Sequence, residues 1–199
     1  MSLLILDRDG VVNQDSSDYI KSLAEWSPIA GSIEAIADLS RAGYRIAIAT
    51  NQSGLSRGLF SLDDMAAIHA RLCQLVEEQG GRITGIFYCP HLPGAGCRCR
   101  KPATGLLEAI ESELGEPAGG AIFIGDNLKD LQAARAFGCQ PVLVRTGKGR
   151  ATEQALRDPA VDLADPETIP VYDDLASAAR AILHTQAETG KGTAPKHDR

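Results

Sequence analysis

The sequence is short of several things, and each shortage removes a class of protein. Basic residues do not dominate: 20 Lys and Arg against 26 Asp and Glu give a formal charge of −6 over 199 residues. The positive footprint of nucleic-acid and anionic-membrane binders is therefore missing. Aromatic residues make up only 5% of the chain while glycines number 20, a balance that suits repeated strand-to-helix turns better than an all-β sandwich. No apolar run approaches the roughly 18 residues of a membrane span. The start, Met1 to Asp7, meets a charge too early for a secretory signal. The expectation is a cytoplasmic protein with neither nucleic acid nor membrane as partner. The acidic surface and the lack of a long exposed apolar stripe suggest a monomer.

Disulfides are the next absence. The cysteines are Cys73, Cys89, Cys97, Cys99 and Cys139, an odd number with no sign of export, which argues against a disulfide framework. Cys73 and Cys139 read as small apolar residues. What the chain does have is 44% hydrophobic content, enough for one core and one domain over 1–185. There is no internal repeat. From Gln186 to Arg199 the composition turns polar and glycine-containing, and a disordered tail is expected there.

Short apolar runs at Leu3 to Leu6, Ile46 to Ala49, Ile83 to Tyr88, Ala121 to Ile124 and Val142 to Val144 read as buried strands. Helix-period stretches lie between them at Ser32 to Ala42, Leu62 to Gln79, Gly105 to Leu114 and Leu128 to Phe137, and another follows at Asp173 to Leu183. Gly43, Gly80, Gly115 and Gly138 sit where those helices should stop. Alternating strand and helix predicts a Rossmann-like three-layer sandwich around a mainly parallel sheet. Ligands in such folds bind at the carboxyl ends of the strands.

Four polar clusters fall at those ends. Asp7-Arg8-Asp9-Gly10 places two carboxylates two positions apart, followed by a residue free to turn sharply; it reads either as a cation site or as a solvated acidic turn. Gly125-Asp126-Asn127-Leu128-Lys129-Asp130 offers a second acidic group, although Asp126 or Asn127 would equally cap a helix. Thr50-Asn51-Gln52-Ser53-Gly54 can donate to a phosphate or form an ordinary turn. Arg100-Lys101-Pro102 is a pair of cations before a helix, by default a surface pair. Together they suggest one pocket for a divalent cation and a phosphate. A fifth cluster, Cys89, His91, Cys97 and Cys99 on a Pro- and Gly-rich loop, has the donors of a closed tetrahedral zinc site, the alternative being a reduced flexible loop. Gly147-Lys148 fails the phosphate-loop pattern, since Val142 stands where glycine is needed and no Ser or Thr follows.

In order and type, these motifs resemble the haloacid dehalogenase-like phosphohydrolase superfamily over about Leu3 to Arg145. The resemblance implies Asp7 as nucleophile and Asp9 as acid and base. It implies Thr50 and Lys101 as phosphate partners, and Mg²⁺ held by the Asp7 carboxylate, the Asp9 main-chain carbonyl and Asp126. The zinc loop before Arg100 narrows it to the branch containing heptose bisphosphate 7-phosphatases and histidinol-phosphate phosphatases. Arg57-Gly58, closing the Asn51 motif, looks like the heptose group. By the same resemblance Asp15, Tyr19, Asn51, Gln52, Ser53 and Arg100 contact a small phosphorylated sugar, Arg100 meeting its distal phosphate. The product would feed nucleotide-activated heptose synthesis for surface glycans. Asn127 departs from the lysine found there in some heptose enzymes. The intervals between Asp7 and Thr50 and between Thr50 and Lys101 leave no room for a cap domain, so the site should be open. A histidinol-phosphate phosphatase is the alternative, and a non-enzymatic zinc-stabilised interaction domain would require all these acids to be ornamental.

Overall fold

The computed structural model describes residues 2–191. Its centre is one sheet of strands β1 (Leu3–Leu6), β2 (Arg45–Asn51), β3 (Ile83–Cys89), β4 (Ile122–Gly125), β5 (Gln140–Val144) and β6 (Val171–Tyr172). The spatial order is β3-β2-β1-β4-β5-β6 and every neighbouring pair is parallel. Helices α1 (Ser32–Arg41), α2 (Leu62–Glu78), α3 (Gly105–Leu114), α4 (Leu128–Phe137), α5 (Gly149–Ala155) and α6 (Leu175–Lys191) connect or follow the strands.

The three layers follow from the period-2 geometry of β1, whose residues are all buried. Leu4 and Leu6 face a core with Ile36 and Leu39 of α1, Ile68, Leu72 and Val76 of α2, and Leu175 of α6. Leu3 and Ile5 face the opposite core, with Leu106, Leu107 and Ile110 of α3 and Ala133 and Ala134 of α4. Both faces are covered, which is why β1 reads as an unbroken apolar run instead of an alternating one. Truncating Leu6 to Ala would open a cavity in the first core, at a cost of roughly 2–5 kcal/mol.

Helix boundaries follow local chemistry. Ser61 and Asp64 close a capping box on α2, and Asn127 and Asp130 do the same on α4. The predicted stop glycines adopt positive φ: 96° at Gly43, 74° at Gly80, 65° at Gly115 and 86° at Gly138. Three elements escape the sequence reading: the two-residue β6, the seven-residue α5 and a 3-10 turn at Pro166–Thr168, all too short to show a period. The expected tail also needs correcting. Helix α6 continues through Gln186 to Lys191, because Ala, Glu, Gln and Lys are good helix formers wherever a packed helix already leads in. Residues 192–199 lie outside the described residues.

From β1 the chain builds outward to β2 and β3, then returns to place β4 on the other side of β1. The crevice beyond the carboxyl ends of β1 and β4 is the topological switch point, where such folds bind ligands. The connections from β1 to β2 and from β2 to β3 carry single helices, and nothing caps the crevice from either interval.

Candidate active site

Asp7 leaves β1 with its N–H donated to the Ile124 carbonyl of β4, 2.9 Å away, so the two strand ends are tied together at the switch point. Behind it lies Lys101, only 1% exposed. Its ammonium donates to the Ala49 carbonyl at 2.7 Å and meets Asp7 Oδ1 at 3.0 Å and Asp130 Oδ1 at 2.6 Å. All three of its protons are used. Burial alone would lower the Lys101 pKa, but the carboxylates of Asp130 and Asp7 outweigh it and push the value up to about 12. The lysine is therefore a fixed positive charge.

One lysine does not balance the acids around it. Asp7, Asp126 and Asp130 each bring a carboxylate oxygen within 4.8 Å of the others. Burial and then Asp130 push Asp126 up to about 7, and the same two causes raise Asp7 well above the ordinary carboxylate range. Backbone closes around Asp126: its Oδ2 accepts from the Lys148 N–H at 2.7 Å, and its carbonyl accepts from the Thr152 hydroxyl at 2.8 Å. A Cβ at Gly10 would come within 2.1 Å of Asp126 Oδ2, and one at Gly147 within 2.2 Å, so both positions need glycine for this approach. A crowded, oxygen-only and over-negative donor set of this kind fits a hard divalent cation.

Asp9 is arranged differently. Arg8, 1% exposed, donates to its carboxylate through Nε at 3.1 Å and Nη2 at 3.0 Å. Asn13 Nδ2 adds a bond at 2.8 Å and Gln52 Nε2 one at 2.7 Å. Burial would raise the Asp9 pKa, but Arg8 and these amides reverse it and hold the carboxylate below its usual range. Arg8 is itself steadied by His69 Nε2 of α2 at 3.2 Å, and burial pushes that imidazole down to about 4, keeping it neutral.

These groups border a cavity of about 390 Å³ that is also lined by Thr50, Asn51, Gln52, Ser53, Asp15, Tyr19 and Arg100. Every site residue expected around the cation and phosphate thus reaches one place, but not all present free groups to it. Asn51 Nδ2 donates to the Lys101 carbonyl and Asn51 Oδ1 accepts from the Lys101 N–H, each at 3.1 Å. Gln52 Nε2 is shared between Asp9 and the Thr50 hydroxyl, the latter at 3.0 Å. Both amides brace the acids and the lysine. Asp15, on the wall, pairs with Lys148 Nζ at 3.0 Å.

The loop after β3 gathers the four soft donors. Cys89 Sγ stands 3.6 Å from His91 Nδ1 and 3.7 Å from Cys97 Sγ, while Cys99 Sγ stands 3.1 Å from Cys89 Sγ and 3.2 Å from His91 Nδ1. No disulfide links them. Tetrahedral zinc with bonds of about 2.3 Å to sulfur and 2.0 Å to nitrogen separates its ligands by roughly 3.5–3.8 Å. The two longer distances match this and the two shorter ones are within a small side-chain rotation of it. Arg100 and Lys101 follow Cys99 directly, and Arg100 Nη1 donates back to the His91 carbonyl at 3.2 Å.

Comparison with known proteins agrees with this geometry. The family described as HAD-hydrolase-like matches residues 98–178. A D-glycero-β-D-manno-heptose-1,7-bisphosphate 7-phosphatase of Pseudomonas aeruginosa is 56% identical over 92% of this chain and 98% of its own length. The namesake from Neisseria meningitidis serogroup B is 43% identical over 100% of both chains. The chain belongs to the heptose bisphosphate phosphatase family of HAD-like hydrolases. A crystal structure of the member from B. bronchiseptica, complexed with magnesium and phosphate, superposes with a TM-score of 0.86 at 44% identity, covering 93% of this chain and 99% of that one.

Within this family fold, Asp130, Lys148 and Arg8 shape the site without having been given a role from the sequence. Asp130 was visible one helical turn beyond Asp126, and its spacing fitted capping; it does both jobs, Oδ2 accepting from the Asn127 N–H at 3.0 Å while Oδ1 holds Lys101. Lys148 fails as a phosphate-loop lysine yet lines the cavity. Arg8 gave no signal, since nothing in a tetrapeptide shows which charge will be buried.

Proposed function

We propose that this protein is a Mg²⁺-dependent phosphatase that removes the 7-phosphate of D-glycero-β-D-manno-heptose 1,7-bisphosphate. The observation that carries the reading is the convergence of Asp7, Thr50, Lys101 and Asp126, from separate strand ends, on one cavity at the switch point. The sugar identity rests on the relatives' names and their near-complete coverage.

Asp7 attacks phosphorus in line, forming an aspartyl phosphate and expelling the sugar alkoxide. Asp9 gives that alkoxide a proton and then takes one from the water that cleaves the acyl phosphate. The hold of Arg8, Asn13 and Gln52 favours the carboxylate needed for the second half, and the arriving phosphoryl dianion raises its proton affinity for the first. Thr50 donates its hydroxyl to a phosphoryl oxygen, and Lys101 offsets charge as the oxygens crowd Asp7. Magnesium, when bound by Asp7, the Asp9 carbonyl and Asp126, with Asp130 behind them, supplies positive charge to the phosphoryl oxygens. Zinc in the Cys89, His91, Cys97 and Cys99 set is structural, because four protein donors leave no open position. It holds Arg100 and Lys101 in register. We place the enzyme in the cytoplasm as a single-domain monomer over 1–185, serving nucleotide-activated heptose synthesis.

The test is phosphate release with Mg²⁺ from heptose 1,7-bisphosphate and histidinol phosphate in parallel. Strong preference for the heptose supports the reading. Preference for histidinol phosphate replaces it with the branch's other activity.

A further inference from the structure

The two oxygens of Asp9 are held unevenly. Oδ1 accepts from Arg8 Nε at 3.1 Å, Arg8 Nη2 at 3.0 Å and Asn13 Nδ2 at 2.8 Å, which fills it. Oδ2 accepts from Arg8 Nη2 at 3.1 Å and Gln52 Nε2 at 2.7 Å, and so has the more room to carry a proton. Because the planar guanidinium touches both oxygens, it fixes the plane of the carboxylate as well as its position. Where Asp9 can aim a proton is therefore set by where Arg8 is held.

Arg8 in turn has one anchor on its far side. It is buried, and among the described residues the acceptor for its Nη1 is His69 Nε2, at 3.2 Å. For Nε2 to accept, the imidazole must be neutral with its proton on Nδ1, and the burial that pushes its pKa down to about 4 keeps it neutral. The ring has little freedom to wander. On α2 it stands between Ile68 and Leu72, both packed into the core, and the Tyr88 ring of β3 lies beside it with centroids 6.3 Å apart. A continuous line of hydrogen bonds thus runs from a packed helix through His69 and Arg8 to Asp9.

From this line of contacts we infer that His69 is a positioning residue for proton transfer to the leaving oxygen: by accepting from Arg8 Nη1 it fixes the guanidinium that holds Asp9 with Oδ2 open. The inference rests on the proposed phosphatase reading, in which Asp9 protonates the departing alkoxide. Without the anchor, Arg8 can swing and carry the carboxylate plane with it. An acid that is present but misaimed costs rate only where a proton is needed. A sugar alkoxide needs one to depart, whereas p-nitrophenolate leaves without it.

The experiment measures kcat/KM with Mg²⁺ on heptose 1,7-bisphosphate and p-nitrophenyl phosphate for wild type, His69→Gln, His69→Asn and His69→Leu, with thermal melts to confirm that each is folded. This parameter covers the steps up to expulsion of the leaving group, so the hydrolysis of the aspartyl phosphate that both substrates share does not enter it. Gln can place an amide oxygen where Nε2 stands. Asn falls short of Arg8 and Leu offers no acceptor, two independent routes to the same loss. We expect His69→Asn and His69→Leu to lose about tenfold more on the heptose than on p-nitrophenyl phosphate, with His69→Gln keeping most of the wild-type ratio. Equal loss on both substrates, which a merely structural role would give, overturns the inference, as does no loss or a Gln variant no better than Asn. If wild type cleaves p-nitrophenyl phosphate but not the heptose, the sugar reading falls alone, and phenyl phosphate, with its poorer leaving group, takes the heptose's place: a larger loss there supports the role of His69 and an equal loss overturns it. A wild type inert toward all three removes the phosphatase reading and the inference together.

Discussion

The acidic floor of the pocket and the Cys-His loop beside it gather donors for metals by opposite strategies. The floor draws Asp7 and Asp126 from two strand ends far apart in the chain and Asp130 from the first turn of α4, encloses them, and leaves them too negative for a single lysine. The loop draws all four donors from Cys89 to Cys99, and His91 is exposed. In the floor the fold assembles the donors, and on the proposed reading a metal there serves chemistry. In the loop only Cys89 stands on a strand, at the end of β3, and a metal would hold the other three donors, because the Pro- and Gly-rich segment that carries them has no helix or strand of its own. Lys101 belongs to both: the loop delivers it and the floor neutralises it.

Substitutions can break this contrast. The largest effect should come from Asp7→Asn, which removes the proposed nucleophile but relieves charge crowding. Turnover should drop by roughly 10⁴-fold or more, with the melting temperature unchanged or raised. A variant that loses its fold instead would mean the floor's charges support structure. Next, Cys97→Ser should lower zinc content measured by atomic absorption and destabilise the protein by roughly 2–5 kcal/mol, with activity lost in proportion to misplaced Lys101. Restoring Mg²⁺ after chelation should recover activity in wild type but not in Cys97→Ser. Recovery in both would show the loop to be dispensable for register.

A third, smaller effect lies behind the floor. His69 has a folded-state pKa of about 4, depressed by burial and by Arg8, against 6.5 when unfolded. The unfolded chain therefore takes up a proton first as pH falls. The stabilising contribution is complete above 6.5 and is lost progressively between 6.5 and 4. Urea melts at pH 7 and pH 5 should show wild type losing of order 1–2 kcal/mol more than His69→Gln; an identical loss in both would mean that His69 charges freely. The smallest change should be Asn127→Lys. Asn127 accepts from the Lys129 N–H at 3.1 Å as the α4 cap, so the substitution trades about 1 kcal/mol of capping for a charge at the cavity. A shift of only a few-fold in KM is expected, and a larger one would place that position among the main substrate contacts.

Most of the fold was legible because both faces of the sheet are covered: buried strands appear as short apolar runs, and the polar residues that follow them border the candidate site. The boundaries of α3 and α4 coincide with their expected ones for the same reason, with glycine stops at Gly115 and Gly138. The cluster of Cys89, His91, Cys97 and Cys99 was legible because its donors are close in the chain. What the sequence hid was division of labour. Asn51 and Gln52 look like phosphate donors in a list of residue types, yet they spend their amides on Lys101, Asp9 and Thr50, a fact of three-dimensional distance alone. Arg8 and His69 meet across a separation no local pattern spans. The α6 extension was missed because composition was read without the packed helix that precedes it.

The return of the chain to place β4 beside β1 also orders events during synthesis. Asp7 is made before β2, β3 and the cysteine loop, whereas Asp126 and Asp130 are made only after them. Until β4 docks and accepts the Asp7 N–H at Ile124, a nascent chain has Asp7 but neither Asp126 and Asp130 nor the strand that completes the pocket. On the proposed mechanism an unfinished polypeptide is inert toward phosphate esters, and a truncation before β4 should yield no partial enzyme. Hydrolytic competence arrives in one late step, with the long-range closure of the sheet.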